Sequence, residues 1–131
     1  MTDARSAGGV VLIAEDDRDI RDLVTVKLEA AGYQVIAVDD GLQALRQIRE
    51  LRPDLALLDV MMPGISGLDI IATLRRDPST ATVPVILMSA RSQEFDVQSG
   101  LAQGAVDYIV KPFSPRELVT RVEAVLQRTA P

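Results

Sequence analysis

The chain has 131 residues, which is enough for one domain with a core that folds without disulfides. It contains neither cysteine nor histidine, so thiolate metal sites, cysteine nucleophiles, histidine bases and phosphohistidine are all excluded. Its net charge of −5 argues against a nucleic-acid-binding surface, which needs a basic patch.

The apolar runs are short, and none approaches the length of a membrane span. The first nine residues, MTDARSAGG, lack the apolar middle of a signal peptide, and we expect residues 1–9 to form a flexible tail. We therefore expect a cytoplasmic protein whose domain spans residues 10–127. Residues 128–131 are either a C-terminal tail or the start of a linker.

The first half of the chain alternates apolar runs with amphipathic segments. The run Val10–Ala14 has strand length, and apolar residues then recur at helical spacing until Gly32. A second strand is predicted over Tyr33–Val38, followed by a helix that Pro53 closes. Leu55–Leu58 is predicted as a third strand. This order is typical of parallel βαβ units.

The second half continues the same alternation. Ser66 can cap a third helix that ends at Asp77, and Pro84–Ser89 is predicted as the fourth strand. A fourth helix within Glu94–Gln103 is the weakest prediction, because it contains Gly100, a poor helix former.

The last strand and helix carry the clearest signals. The run DYIV, residues 107–110, is a fifth strand, and the helix after it begins with Ser114 as cap, Pro115 in the first position and Glu117 in the third. Five strands alternating with five helices predict an α/β fold with a parallel sheet covered on both faces. Right-handed crossovers then bring the carboxyl end of every strand to one edge.

Four strands end on, or are followed at once by, residues that can bind a metal or a phosphate. These residues are Glu15, Asp16, Asp17, Asp59, Ser89 and Lys111. Each has a structural alternative, since an Asp often starts a turn and acids suit the first turn of a helix. Their agreement at one edge indicates a site. Three or four converging carboxylates repel one another, and oxygen ligands of this kind suit Mg²⁺.

Four segments together resemble the receiver domain of two-component response regulators. They are LIAEDD, LLDVMMPGISG, ILMSA and DYIVKPFSPREL, and the resemblance covers about residues 10–127. It implies a flavodoxin-like doubly wound sheet with strand order 2-1-3-4-5. It also implies a cis peptide bond between Lys111 and Pro112.

The resemblance implies a role for each residue of the site. Asp59 would be the phosphoacceptor. Asp16 and Asp59 would bind Mg²⁺ directly, Glu15 would act largely through water, and the backbone carbonyl of Met61 would be the third protein ligand. Lys111 would pair with the phosphoryl oxygens.

Further residues would carry the response. Ser89 would be the switch hydroxyl and Tyr108 the switch aromatic, and together they would change the surface of the fourth helix, fifth strand and fifth helix. The domain would catalyse only its own phosphotransfer and autodephosphorylation. Its partners would be a sensor histidine kinase or histidine phosphotransfer protein and a downstream effector protein or domain. The kinase or phosphotransfer protein would dock beside the site on the first helix, where Ile20, Leu23 and Val24 compete between core and surface.

The last helix resembles that of receivers in winged-helix transcription factors, which dimerise through the same surface. Glu117 and Arg121 fit that charged interface, whereas Val97 and Val106 stand where such receivers usually carry charges. A phosphorylation-dependent homodimer therefore stays open.

Three other functions fit these residues less well than the receiver. A haloacid-dehalogenase-type phosphatase needs a second acid two residues after Asp59, where this chain has Met61. A flavin binder needs a phosphate loop rich in Ser, Thr and Gly, where this chain has EDDRD. An adaptor that binds partners without phosphorylation would not need the complete acidic, hydroxyl and lysine set.

Overall fold

The predicted alternation of strands and helices is found along the whole domain. The computed structural model describes residues 8–90 and 94–129, and for residues 94–97 and 129 it describes the backbone only. The strands are β1 (Val10–Ala14), β2 (Gln34–Val38), β3 (Leu55–Asp59), β4 (Val85–Ala90) and β5 (Asp107–Lys111). The helices are α1 (Arg18–Ala30), α2 (Gly41–Leu51), α3 (Gly67–Arg76), α4 (Glu94–Ala102) and α5 (Pro115–Thr129).

Two strands begin one residue later than the apolar pattern predicts. Tyr33 lies outside β2 because its N–H donates to the carbonyl of Leu28 at 3.1 Å, which closes the turn after α1. Pro84 lies outside β4 because it has no N–H to give to the sheet, although its carbonyl accepts from Ala56 at 2.9 Å.

Among the described residues, side-chain caps begin α1, α2, α3 and α5. An oxygen of each cap accepts the N–H three residues later, and the caps are Asp17, Asp40, Ser66 and Ser114. The predicted caps Ser66 and Ser114 are confirmed. Asp17, which was expected among the acids at the sheet edge, instead caps α1.

The sheet is parallel throughout, with the order β2-β1-β3-β4-β5. This confirms the flavodoxin-like doubly wound fold. It also places β1 beside β3, so that the acids following one strand lie next to the acid ending the other. The expected cis peptide bond between Lys111 and Pro112 is present.

The core lies on both faces of the sheet, as the continuous apolar runs predict. In β1, Val11 and Ile13 pack on the face covered by α1 and α5, whereas Leu12 and Ala14 pack on the face covered by α2 and α3. All four are fully buried. A buried side chain of leucine size contributes about 1.5–3 kcal/mol, so this core fixes the strand ends firmly.

The helix predicted least clearly is present as α4. Its Gly100 is buried, and a Cβ there would collide with the Leu87 side chain on β4. The residue that weakens the helical pattern therefore lets the helix lie close to the sheet.

The ends of the chain are described only in part. Residues 1–7 of the predicted tail and residues 130–131 lie outside the described residues. Gly8 donates to the Gly32 carbonyl at 3.2 Å, and the Gly9 carbonyl accepts from Gln34 at 3.0 Å. Across residues 8–90 and 94–129, none of the helices is both long and apolar enough to cross a membrane.

Candidate functional site

Three carboxylates meet where β1 and β3 end. Oxygens of Glu15, Asp16 and Asp59 all lie within 4.8 Å of one another. Glu15 and Asp59 are buried, whereas Asp16 is exposed. Sequence reasoning predicted this meeting, and its cause is the pairing of β1 with β3, in which Ala14 stands opposite Leu58.

Lys111 reaches this cluster from the end of β5. Its Nζ lies 2.5 Å from Glu15 Oε1 and 2.8 Å from Asp59 Oδ2. One ammonium group therefore bridges two buried carboxylates. Such a charge-assisted arrangement is strong, and it reduces the repulsion between the acids.

The pKa values of Glu15 and Lys111 are both raised. Burial, followed by a hydrogen bond with Asp59, raises the pKa of Glu15 to about 8, although Lys111 acts the other way. Burial by itself would lower the pKa of Lys111, but its hydrogen bonds with Asp59 and Glu15 raise it overall. Without a metal, the cluster therefore disfavours a full negative charge on Glu15. A divalent cation bound there would offset that charge.

The backbone around Asp59 is fixed from several sides. Its Oδ1 accepts from the N–H of Met61 at 3.2 Å, so its two oxygens have different partners. The Gly67 N–H donates to the Val60 carbonyl at 3.1 Å, and a Cβ on Gly67 would lie only 2.5 Å from the Asp59 carbonyl oxygen. The loop after β3 therefore needs glycine at position 67. Sequence reasoning did not identify this requirement.

The first residue of α2 holds the same loop from the other side. The Gly41 N–H donates to the Pro63 carbonyl at 3.1 Å, and a Cβ at Gly41 would collide with the Ile65 carbonyl. The carbonyl of Met61, which was expected to bind metal, belongs to this fixed loop.

Ser89 stands on β4, between β3 and β5. It is fully buried, and within residues 8–90 and 94–129 its Oγ has no hydrogen-bond partner. A buried hydroxyl without a partner is unfavourable, which makes it a ready donor to an anion at this edge. Tyr108 lies on β5 opposite Leu87 and is 38% exposed, so its ring does not occupy the core.

Arg21 of α1 also contacts the site, which sequence reasoning missed. Its NH1 donates to the carbonyl of Glu15 at 2.9 Å and lies 3.5 Å from that of Asp16. The only signal in the sequence is a basic residue one turn into a helix that opens with acids.

The arrangement has a definite chemical capacity. Hard carboxylate oxygens suit Mg²⁺, so the donor set of the three acids fits that ion. Lys111 adds a cation, and the Ser89 hydroxyl, which has no partner among the described residues, adds a donor. Both suit phosphoryl oxygens. The site could therefore hold a metal ion and a phosphoryl group side by side.

Comparison with known proteins gives a consistent result. The model of the response regulator receiver domain matches residues 11–123. The phosphate regulon transcriptional regulatory protein PhoB of Pseudomonas aeruginosa is 46% identical over 124 residues, which cover 95% of this chain and 54% of PhoB. The DNA-binding response regulator MtrA of Mycobacterium tuberculosis is 45% identical over 118 residues, which cover 90% of this chain and 50% of MtrA. The chain thus spans about half the length of these curated relatives.

Solved structures agree with these matches. The receiver domain of a Francisella response regulator superposes with a TM-score of 0.85 at 35% identity, covering 92% of this chain and 98% of that one. The chemotaxis response regulator CheY4 of Vibrio cholerae superposes with a TM-score of 0.83 at 31% identity, covering 88% and 97%.

Proposed function

Because the chain belongs to the response regulator receiver domain family, we propose that Asp59 accepts a phosphoryl group and that this modification switches the binding surface of the domain. Receiver domains are signalling switches of two-component systems rather than classical enzymes. The observation that carries the proposal is the position of Asp59, buried beside two other acids and bonded to Lys111.

Asp59 would act as a nucleophile. One of its oxygens forms a bond to phosphorus while the bond between phosphorus and the donor breaks, and the leaving group takes up a proton. A carboxylate is a weak nucleophile, so the site must orient it and neutralise the incoming charge. The N–H of Met61 and the ammonium of Lys111 hold one oxygen each, which fixes the plane of the carboxylate.

Asp59 itself and two further acids would hold Mg²⁺ at this site. Asp16 and Asp59 are proposed as direct ligands, Glu15 as a ligand largely through water, and Met61 through its carbonyl. When bound, Mg²⁺ supplies charge neutralisation for the phosphoryl oxygens. Lys111 would pair with those oxygens through its ammonium group.

Ser89 and Tyr108 would transmit the modification. The Ser89 hydroxyl has no partner among the described residues, so a phosphoryl oxygen within reach would satisfy it. Its movement toward the phosphoryl group would leave space for the Tyr108 ring, which is partly exposed in this structure. The surface formed by α4, β5 and α5 would change as a result.

The phosphoryl donor lies outside these 131 residues, because they contain no histidine. We assign that role to a sensor histidine kinase or a histidine phosphotransfer protein. Its docking surface would lie on α1, where Leu23 and Val26 are 44% and 59% exposed. These two residues are neighbours on one helix face. Of the three residues expected to compete between core and surface, Val24 is buried and Ile20 packs against the core, whereas Leu23 is exposed.

The output surface would bind a downstream effector protein or domain. Arg121 donates to both oxygens of Asp107 at 3.0–3.1 Å and lies 3.6 Å from Glu117, so its charge is engaged within the chain. Val106 and Tyr108 are exposed beside it. A homodimer formed on phosphorylation would have to use this more apolar surface. The side chain of Val97 lies outside the described residues.

Exposure to acetyl phosphate or phosphoramidate with Mg²⁺ tests the proposal. We expect intact-mass spectrometry to detect one phosphoryl group on the wild type and none on Asp59→Asn or in EDTA. Asp54→Asn, near the other end of β3, is the matched control and should be modified like the wild type. An undiminished adduct on Asp59→Asn would refute the site. Failure of the wild type with these donors and with every kinase tried would favour the adaptor function.

A further inference from the structure

We propose that Arg21 is a positioning residue for metal binding. Its guanidinium would fix the backbone of Glu15 and Asp16 so that their carboxylates stay aimed at Asp59. The inference rests on the proposed function, since it concerns the Mg²⁺ site of that function.

The contact joins the helix to the strand end that precedes it. Arg21 lies in the second turn of α1, is half-buried, and donates from NH1 to the Glu15 carbonyl at 2.9 Å. The same nitrogen lies 3.5 Å from the carbonyl of Asp16. One guanidinium nitrogen therefore holds the carbonyls of the two residues that follow β1.

Other bonds fix the residues on either side of these carbonyls. The Glu15 N–H donates to the Val38 carbonyl at 3.1 Å, which ties the end of β1 to β2. Asp17 accepts from the Ile20 N–H at 3.1 Å, which ties the loop to α1. Between these two anchors, Arg21 holds the turn that presents Asp16.

Geometry and charge predict opposite effects of losing this arginine. Mg²⁺ demands nearly ideal octahedral ligand positions, so a looser turn should weaken its binding. Removing a positive charge near a cation site should instead strengthen binding, because like charges repel. The sign of the change therefore distinguishes a positioning residue from a mere neighbouring charge.

The chain offers a matched control on the same helix. Arg18 opens α1, its side chain is 83% exposed, and its Nε lies 3.7 Å from Asp22. Arg18→Met removes the same charge from the same helix. The structure records no bond from Arg18 to the carbonyls of Glu15 or Asp16.

The test is calorimetric titration of Mg²⁺ into the full chain as wild type, Arg21→Met, Arg21→Lys and Arg18→Met. Outer contacts that orient metal ligands typically change affinity by about tenfold or more. We therefore expect about tenfold weaker binding in Arg21→Met and a smaller loss in Arg21→Lys, which keeps one donor group. Arg18→Met should bind as tightly as the wild type or slightly more tightly.

Urea unfolding of each variant in EDTA separates positioning from folding. The Arg21 variants should lose Mg²⁺ affinity while they remain folded in EDTA. If Arg21→Met does not fold, the affinity of Arg21→Lys decides the question. Equal affinity of wild type and both Arg21 variants would overturn the inference and leave the proposed function standing. No Mg²⁺ binding by the wild type would overturn both.

Discussion

Two buried hydroxyl groups in this domain have opposite surroundings. Thr80 Oγ1 donates to the Leu74 carbonyl at 2.9 Å and so helps to close the end of α3. Ser89 Oγ is equally buried but has no partner in the described part of the chain. A satisfied buried hydroxyl contributes to stability, whereas an unsatisfied one reduces it. Ser89 is thus retained at a cost to the resting state, which suits a residue that acts when a phosphoryl group is present.

This contrast predicts opposite stability changes. In EDTA, Ser89→Ala should raise the free energy of unfolding by about 1 kcal/mol, because it removes a desolvated and unpaired group. Thr80→Val should lower it by about 1 kcal/mol, because the Leu74 carbonyl loses its shorter bond and keeps only the one from the Asp77 N–H at 3.3 Å. Urea unfolding of both variants checks the signs. A clear loss of stability in Ser89→Ala would mean that the hydroxyl has a partner in solution.

At the scale of elements, Asp77 stabilises the start of the connection between α3 and β4. Asp77 Oδ1 accepts from the N–H and the hydroxyl of Ser79, at 3.0 and 2.9 Å. These two bonds, with a smaller effect of Arg49, lower the pKa of Asp77. A carboxylate whose pKa is lower in the folded state stabilises the protein above its unfolded pKa of about 4. That contribution disappears as pH falls through the folded pKa.

The pH dependence of stability should therefore change when Asp77 is neutralised. Between pH 6 and pH 3, the urea midpoint of Asp77→Asn should fall less than that of the wild type, because asparagine can keep the acceptor but not the charge. Ser79→Ala, which removes one donor, should fall by an intermediate amount. Equal drops in all three proteins would show that Asp77 titrates alike in both states.

The elements also show where sequence reasoning reaches its limit. Local patterns predict caps such as Ser66 and Ser114, since the cap and its target are three residues apart. They do not predict Arg75, whose guanidinium donates to the carbonyls of Ala81, Val83 and Gly104. That bond to Gly104 spans 29 positions and depends on how α3 lies against the sheet. The hydrophobic periodicity of a sequence does not predict such a contact.

At the scale of the whole molecule, the candidate site also combines contacts that the sequence predicts with contacts that it does not. The sequence predicted that four side chains meet at one edge, because parallel strands bring their carboxyl ends together there. These side chains are Glu15, Asp16, Asp59 and Lys111. The contacts that orient those groups were not predictable, because they are made by helix residues that pack against the loops after the strands. Arg21 on the Glu15 carbonyl is one such contact, and Gly67 against the Asp59 carbonyl is another.

The same architecture determines where a switch can move. The end of α4 is held by Arg75 on the Gly104 carbonyl and by the Ala105 N–H on the Gly100 carbonyl, each at 2.9 Å. Segments with few such anchors rearrange most readily. The turn at Gly104 and Ala105 should therefore stay in place, while a movement that starts at Ser89 changes α4 and turns the Tyr108 side chain on β5.

Amide exchange with beryllofluoride as phosphoryl mimic tests this expectation. With Mg²⁺, we expect exchange to change over residues 89–103 of the wild type and to change little at Ala105 and Val106. Ser89→Ala should bind the mimic but respond weakly, because it lacks the hydroxyl that moves. Asp59→Asn, which cannot hold the mimic, should not respond at all. Unchanged exchange over residues 89–108 in wild type that carries the mimic would defeat the switch mechanism, even with Asp59 established as the acceptor.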